Sequence, residues 1–439
     1  MTHVILINPP SPPNQAANRE GTAGMGVVGA QGTDFVYPPQ TMATVAAVLR
    51  DQGYEVSCVD AVAERLDTAA TIERVLATGE HVDVGVFVSQ ATRRSDMEFI
   101  DALAAAQPGG EIIAFGPAMR FIGPDIMANS NVTAVAMGEP ETAVLSTLQM
   151  AALESEESDE AWVAGPAAVD ADPNTLPNPA WDLLPHALYP FLTLRAGRGC
   201  DDNCAYCPYV ASEGYGRTVR TPTAVADELA WLARTYPKPR YLFRDIVFAA
   251  DRAWVEAFCR VVVEHKLEAA WECESRPEHF DLGLLRSMAR AGCNTIKIGV
   301  ETLDDDLLES MGRLRPGESA DDYRRHVQDV LHAADQVVIG CRVFVMLGLP
   351  GETDHARTQT REFLARVRPP VLSVKIYRPY AGVRLETEGQ SALLNAHWGA
   401  HPLSRQELYE LQRDWQSLQG EPSKAPGWLE RMRRMVGRE

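Results

Sequence analysis

Short apolar runs alternate with amphipathic helical stretches twice over in this chain, once before about residue 150 and again from Phe191 onward. Each strand-length run is followed by a helix that must cross back before the next run begins, so the strands of each series are expected to lie parallel. The first series has its strand candidates at Val4–Asn8, Tyr54–Val59, Val82–Val88, Glu111–Phe115 and Val132–Met137. Helical patterns intervene, among them Thr41–Asp51, stopped by Gly53, and Met97–Ala106, stopped by Pro108 and Gly109. Five such units in about 150 residues predict one doubly wound parallel sheet, whose ligand site would lie outside the carboxyl ends of the strands. Those ends carry Asn8-Pro9-Pro10, Ser89-Gln90-Ala91-Thr92, Gly116-Pro117 and Gly138-Glu139-Pro140-Glu141.

The second series places strands at Phe191–Ala196, Arg240–Ile246, Ala270–Ser275, Thr295–Val300, Val337–Met346 and Val371–Tyr377. Helices are expected at Thr223–Arg234, Ala253–Glu264, Leu282–Ala291 and Asp321–Ala334. Six units in about 190 residues fit a partial or full barrel that works at the carboxyl face of its strands. Between the two series, Glu154–Glu160 is acidic and Pro166–Pro179 is proline-rich, the composition of a linker. The stretch from Pro9 to Pro39 is longer than a connector requires, and reads as a cover or a disordered segment. After about Ser391 the pattern is helical, at Leu403–Leu418 and Trp428–Val436. The expected organisation is a doubly wound domain over 1–152, a linker over 153–187, a barrel over 188–388 and a helical tail over 389–439.

Chemistry concentrates in Arg198-Gly199-Cys200-Asp201-Asp202-Asn203-Cys204-Ala205-Tyr206-Cys207, directly after the first strand of the second series. Three soft thiolate ligands in one short loop suit an iron–sulfur cluster or a zinc ion. Structural zinc takes four ligands, and the nearest histidines, His186 and His265, lie well outside the loop. The other five cysteines, Cys58, Cys259, Cys273, Cys293 and Cys341, are scattered singly, which argues against a disulfide framework. A formal net charge of -19 argues against nucleic acid or an anionic membrane surface as partner. No apolar run approaches the ~20 residues of a membrane span, and the amino-terminal residues carry no secretory pattern, so a cytoplasmic location is expected.

The C-x3-C-x2-C loop after a first barrel strand resembles the cluster motif of the radical S-adenosylmethionine (SAM) enzymes, and Tyr206 is the aromatic residue that family usually shows before the last cysteine. The resemblance implies that Cys200, Cys204 and Cys207 hold a [4Fe–4S] cluster whose remaining iron is chelated by SAM. Further segments are similar in order: Phe243-Arg244-Asp245, with Asp245 facing the SAM amino group; Trp271–Arg276, with Arg276 near the SAM carboxylate or ribose; Ala291–Thr302, with Gly299 allowing close approach and Glu301 facing the ribose; and Gly348–Thr353. Together they span residues 191–385 of a partial (β/α)6 barrel.

The amino-terminal series is similar to the Rossmann-like cobalamin-binding domain of one branch of that superfamily, through Asn8-Pro9-Pro10, Gly53-Tyr54 and Gly138–Glu141. The Asp-x-His-x-x-Gly loop that supplies a cobalt ligand in other cobalamin domains does not occur. The resemblance implies cobalamin contacts at Pro10, Ser89, Gln90, Thr92, Gly116, Gly138 and Glu139, with Ser89–Thr92 under the corrin. It further implies a cobalamin-dependent radical SAM C-methyltransferase using methylcobalamin and a 5′-deoxyadenosyl radical. The substrate would be a small molecule of natural-product type, and the electron would come from a flavodoxin or ferredoxin. Two alternatives stand beside it: a non-methylating cyclisation, rearrangement or oxidation with the same cofactors, and a non-enzymatic corrinoid or iron–sulfur sensor.

Overall fold

The structure, a computed structural model, describes residues 3–22, 24–30, 36–79, 82–106, 108–154, 162–163, 172–202, 204–380, 383 and 403–420. The expected helix at Trp428–Val436 lies outside them. The chain divides into two compact units, Met1–Leu192 with Ala211–Gly214, and Thr193–Val210 with Tyr215–Glu439.

The first unit runs β1 (His3–Asn8), β2 (Gln15–Asn18), β3 (Val27–Ala30), α1 (Gln40–Asp51), β4 (Glu55–Asp60), α2 (Thr68–Leu76), β5 (Val82–Phe87), α3 (Arg93–Ala105), β6 (Gly109–Phe115), α4 (Met119–Asn129), β7 (Ala134–Val135), α5 (Pro140–Glu154) and β8 (Trp162–Val163). Its main sheet has the order β4-β1-β5-β6-β7-β8, all parallel. The chain reverses its direction of winding between β1 and β5, which makes their carboxyl ends the switch point of the sheet. Central strands of such a sheet are covered on both faces, and Val4, Ile5, Leu6 and Ile7 of β1 are accordingly all buried.

Two stretches behave differently from their composition. The segment 153–187, expected as a linker, supplies β8 to the sheet and a 3-10 turn at Trp181–Leu183 whose Trp181 is fully buried. Ala180 N donates to Ala43 O at 2.9 Å, which pins that turn to α1. Acid and proline content reports average solvation and misses the few apolar side chains that anchor a segment. Within Pro9–Pro39, β2 and β3 pair as an antiparallel hairpin.

The second unit carries β9 (Leu192–Leu194), β10 (Gly197–Arg198), α6 (Pro208–Glu213), β11 (Thr218–Val219), α7 (Pro222–Thr235), β12 (Tyr241–Phe243), α8 (Arg252–Glu264), β13 (Trp271–Ser275), α9 (Leu282–Arg290), β14 (Cys293–Glu301), α10 (Asp305–Ser310), α11 (Ala320–Gln336), β15 (Gly340–Leu347), α12 (Asp354–Val367), β16 (Val371–Ile376) and α13 (Arg405–Gln416). Helix starts are capped as their sequences dictate, Thr221 ahead of Pro222 in α7 and a Ser319–Asp322 capping box in α11. The strand expected from Val337 begins later, as β15 at Gly340, because α11 continues to Gln336 and the chain reverses through Val338 at φ 62.

Six strands form one sheet in the order β9-β12-β13-β14-β15-β16, with β12 to β16 pairing in parallel. Helix α13 runs along the far edge. Gln412 Nε2 donates to Val374 O at 2.7 Å, Gln416 bonds both Leu372 O and Val374 N, and Gln419 Oε1 accepts from Leu372 N at 3.3 Å. These amides satisfy the backbone groups that an edge strand would otherwise leave open.

Candidate functional site

The cysteine loop leaves β9 and is closed at its base by a two-stranded ribbon of β10 and β11. Cys200 O accepts from Gly216 N at 3.1 Å, and Ala205 N donates to Met311 O at 2.9 Å. Asp245, just beyond β12, takes the backbone N–H of Ala196 on Oδ2 at 2.9 Å and that of Gly197 on Oδ1 at 2.6 Å. Burial pushes its carboxyl up to about 6, against those two hydrogen bonds. Both oxygens are occupied, so Asp245 orients the strand that enters the loop.

Cys200 is 6% exposed, and its thiol is pushed up to about 12, by burial first and by Asp202 and Cys204 after it. Burial raises the Cys207 thiol as well, and Cys204 adds to it. Two guanidinium groups face the remaining thiol: Arg276 Nη1 and Arg313 Nη1 each lie 3.8 Å from Cys204 Sγ. Arg276 also pairs with Asp202 at 2.9 Å and with Glu278, and donates to Arg313 O, so it is bound into the loop. Arg313 is 3% exposed and donates to Tyr323 Oη at 2.8 Å, to Tyr206 Oη at 3.3 Å and to Gly299 O. Burial alone would raise Glu278, but Arg313 and Arg276 hold its carboxyl below the usual range.

Glu301 closes the group. It adopts φ 67 at a β-bulge in β14, a backbone conformation costing roughly 1–3 kcal/mol for a residue with a side chain. Its carboxylate accepts from Tyr206, and burial, opposed by Arg313, raises its pKa. A Cβ on Gly299 would fall 2.5 Å from Glu301 Oε1, so the glycine is required for that carboxylate to fold back. Cys204, Tyr206, Arg276, Gly299 and Glu301 therefore come together, with Cys200 and Cys207 on the same loop within electrostatic reach of Cys204. Arg313, Asp202 and Glu278 complete the group and escaped the sequence reading. Arg313 follows a short helix in an unremarkable Met311-Gly312-Arg313, and only strand order brings it to Cys204.

At the carboxyl ends of the first sheet, a buried ion pair dominates. Arg19 Nη2 lies 2.6 Å from Asp96 Oδ1, and both side chains are at most 1% exposed. Arg19 also donates to Asn8 Oδ1, Pro9 O and Pro10 O, while Asp96 accepts from Thr92 Oγ1 and Ser89 N. Asp60 accepts from Asn8 Nδ2 at 2.8 Å and from Tyr189 Oη at 2.7 Å. The expected contact residues Pro10, Ser89 and Thr92 are thus engaged in holding the hairpin onto β1 and β5. Gly116 serves packing, since a Cβ there would meet Val88 O at 2.5 Å. Gly138 and Glu139 lead into α5. Gln90 differs: its Oε1 is buried and, among the described residues, without a hydrogen-bond partner.

Residues 194–364 match the sequence model of the radical SAM superfamily. An uncharacterized methyltransferase of Pyrococcus horikoshii is 23% identical over 407 residues, which cover 88% of this chain and 84% of that protein. The solved structure of the radical SAM methyltransferase TsrM from Kitasatospora setae, with tryptophan substrate and an SAM analogue bound, is similar at a TM-score of 0.70 and 17% identity, over 88% of this chain and 75% of that one. The cobalamin-dependent SAM radical enzyme OxsB, with aqua-cobalamin and SAM bound, is similar at a TM-score of 0.65 and 15% identity, over 95% of this chain and 57% of that one.

Proposed function

We propose that this chain, a radical SAM enzyme over residues 194–364, is a cobalamin-dependent C-methyltransferase acting on a small molecule of natural-product type. The observation that carries the reading is the set of Cys200, Cys204 and Cys207 on one loop, with two buried guanidinium groups 3.8 Å from the middle sulfur.

The donor set fits a [4Fe–4S] cluster in kind: three soft thiols share one loop, and Arg276 and Arg313 beside Cys204 would offset the charge that three thiolates bring. Burial raises the thiols of Cys200 and Cys207, so a cluster held there would take the place of their protons and its loading would release them. A cobalamin fits the first unit at the unpartnered Gln90 Oε1, with Gly138 at φ 123 beside Glu139 admitting a ligand close to the backbone. When bound, the cluster and SAM supply one-electron cleavage to an adenosyl radical, and the corrinoid supplies the methyl group.

The protein's own contribution is orientation. Asp245 sets the direction in which the chain enters the loop. Arg276 clamps the loop through Asp202. Tyr206 and Arg313 hold Glu301, whose carboxylate we assign to the ribose of SAM. A flavodoxin- or ferredoxin-type protein is the proposed electron donor. Anaerobic turnover with methyl-labelled SAM tests the reading: labelled product is expected together with S-adenosylhomocysteine and 5′-deoxyadenosine. Formation of 5′-deoxyadenosine without S-adenosylhomocysteine would mean that the enzyme rearranges or oxidises its substrate and transfers no methyl group.

A further inference from the structure

The cysteine loop is stitched to the segment that follows α10. Met311 O accepts from Ala205 N at 2.9 Å, and Gly312 O lies 3.9 Å from Cys204 Sγ. Gly312 turns the chain at φ 67, where a glycine costs little, and Arg313 N returns to Leu308 O at 2.9 Å. These backbone contacts fix the point from which the Arg313 side chain starts. Its Nη1 then comes within 3.8 Å of Cys204 Sγ.

The groups that hold this guanidinium are neutral. Nη1 donates to Tyr206 Oη at 3.3 Å, and Nη2 donates to Tyr323 Oη at 2.8 Å and to Gly299 O. The Tyr323 ring adds a face, its centre 5.6 Å from Cζ. Among the described residues no carboxylate forms an ion pair with Arg313, and its buried Nε has no hydrogen-bond partner. Glu278 and Glu301 lie within its field but beyond ion-pair distance.

Arg276 stands at the same distance from the same sulfur, yet its charge is matched. Asp202 pairs with it at 2.9 Å, and Glu278 pairs with it as well. Arg313, 3% exposed and without such a partner, keeps a positive charge that burial leaves poorly screened. Of the atoms that accept from it, Cys204 Sγ is the one that becomes an anion when metal is bound.

We propose that Arg313 donates a charge-assisted N–H···S hydrogen bond to the cluster ligand Cys204 and so raises the potential at which the cluster accepts its electron. The proposal rests on the cluster reading above and gives Arg313 a tuning role there. One electron leaves the flavodoxin- or ferredoxin-type donor and enters a group that three thiolates already make anionic. A fixed cation against one of those sulfurs favours the reduced form, as hydrogen bonds and charge beside cluster sulfurs do in general.

The test uses the full chain, reconstituted anaerobically with iron and sulfide and kept free of SAM. The cluster's electron paramagnetic resonance is followed while the potential is stepped with mediators. Arg313→Gln removes the charge and keeps a polar side chain for the two tyrosines. It should disfavour the reduced cluster at least tenfold, a fall of about 59 mV for a one-electron couple. Arg313→Met is a second neutral variant with the same expected shift. Arg313→Lys keeps the charge and should stay within about threefold of the parent on the same scale. An unchanged potential in a cluster-loaded Arg313→Gln overturns the proposal, whether or not SAM binding has weakened. A fall in Arg313→Lys as large as in Arg313→Gln overturns it too, because charge would not be the cause. Failure of both neutral variants to load a cluster also overturns it, by assigning Arg313 to assembly. A parent chain that loads no cluster removes the cluster reading itself, and the proposal with it.

Discussion

The two parallel sheets solve the same packing problem in opposite ways. In the first, β1 is buried along nearly its whole length, and the polar groups at its carboxyl end are consumed by one another: Arg19 by Asp96, Asn8 by Asp60, Asp60 by Tyr189. In the second, β14 alternates buried and partly open residues, and the sheet's strand ends bring Arg276, Arg313 and Glu301 to the cysteine loop. A closed polar network secures architecture, because each member is paired within the chain. The difference assigns the Arg19–Asp96 network at the first set of strand ends to stability and the thiol loop at the second to one-electron chemistry.

The largest test of that division is at the thiols. Cys204→Ser should abolish cluster loading and lower turnover by about 100-fold or more, since one-electron chemistry belongs to the bound group, while the thermal midpoint of the metal-free chain stays near the parent's. Iron content and 5′-deoxyadenosine yield measure it. Next come the two halves of the buried pair: Asp96→Ala leaves Arg19 buried without its counter-charge, and should cost about 3–5 kcal/mol in denaturant titration. Replacing both, as Arg19→Met with Asp96→Leu, should recover most of that loss. If Asp96→Ala instead left stability unchanged and removed cofactor binding, the division between the sheets would fail.

A third test separates the sheets by pH. The folded protein raises Glu274 from 4.5 to about 7, so it binds that proton more tightly than the unfolded chain does. The destabilisation from this group is absent below pH about 4.5 and grows as pH rises through about 7. Glu274→Gln should therefore match the parent at pH 4 and exceed it at pH 8, by about 1–3 kcal/mol on the scale of about 1.4 kcal/mol per pKa unit. An equal effect at both pH values would mean that folding leaves the Glu274 carboxyl unshifted. The smallest effect is expected at the covered edge: Gln416→Ala should cost about 1 kcal/mol, the net value of a hydrogen bond or two, read from the chemical denaturation midpoint.

Much of this molecule is legible from local pattern. The expected strand at Val82–Val88 forms as Val82–Phe87, and the helix at Ala253–Glu264 forms as Arg252–Glu264, because apolar spacing and capping residues act within a few positions of one another. The cysteine loop declares its chemistry for the same reason, three ligands falling within eight residues. Asp245 and Arg276 were findable as strand-end residues, but not their partners. Asp245 turns back to Ala196 and Gly197, and Arg276 binds Asp202.

The sequence by itself determined two parallel α/β series, the thiol loop after the first strand of the second, and the strand ends where ligands gather. Tertiary structure alone decided that Arg313 stands beside Cys204 across 109 positions of chain and that Arg19 reaches Asp96 across 77. The physical reason is range. Periodicity and capping are settled by neighbours along the chain, whereas a guanidinium finds its carboxylate or thiol through strand order and register, which depend on how all the apolar faces are buried at once.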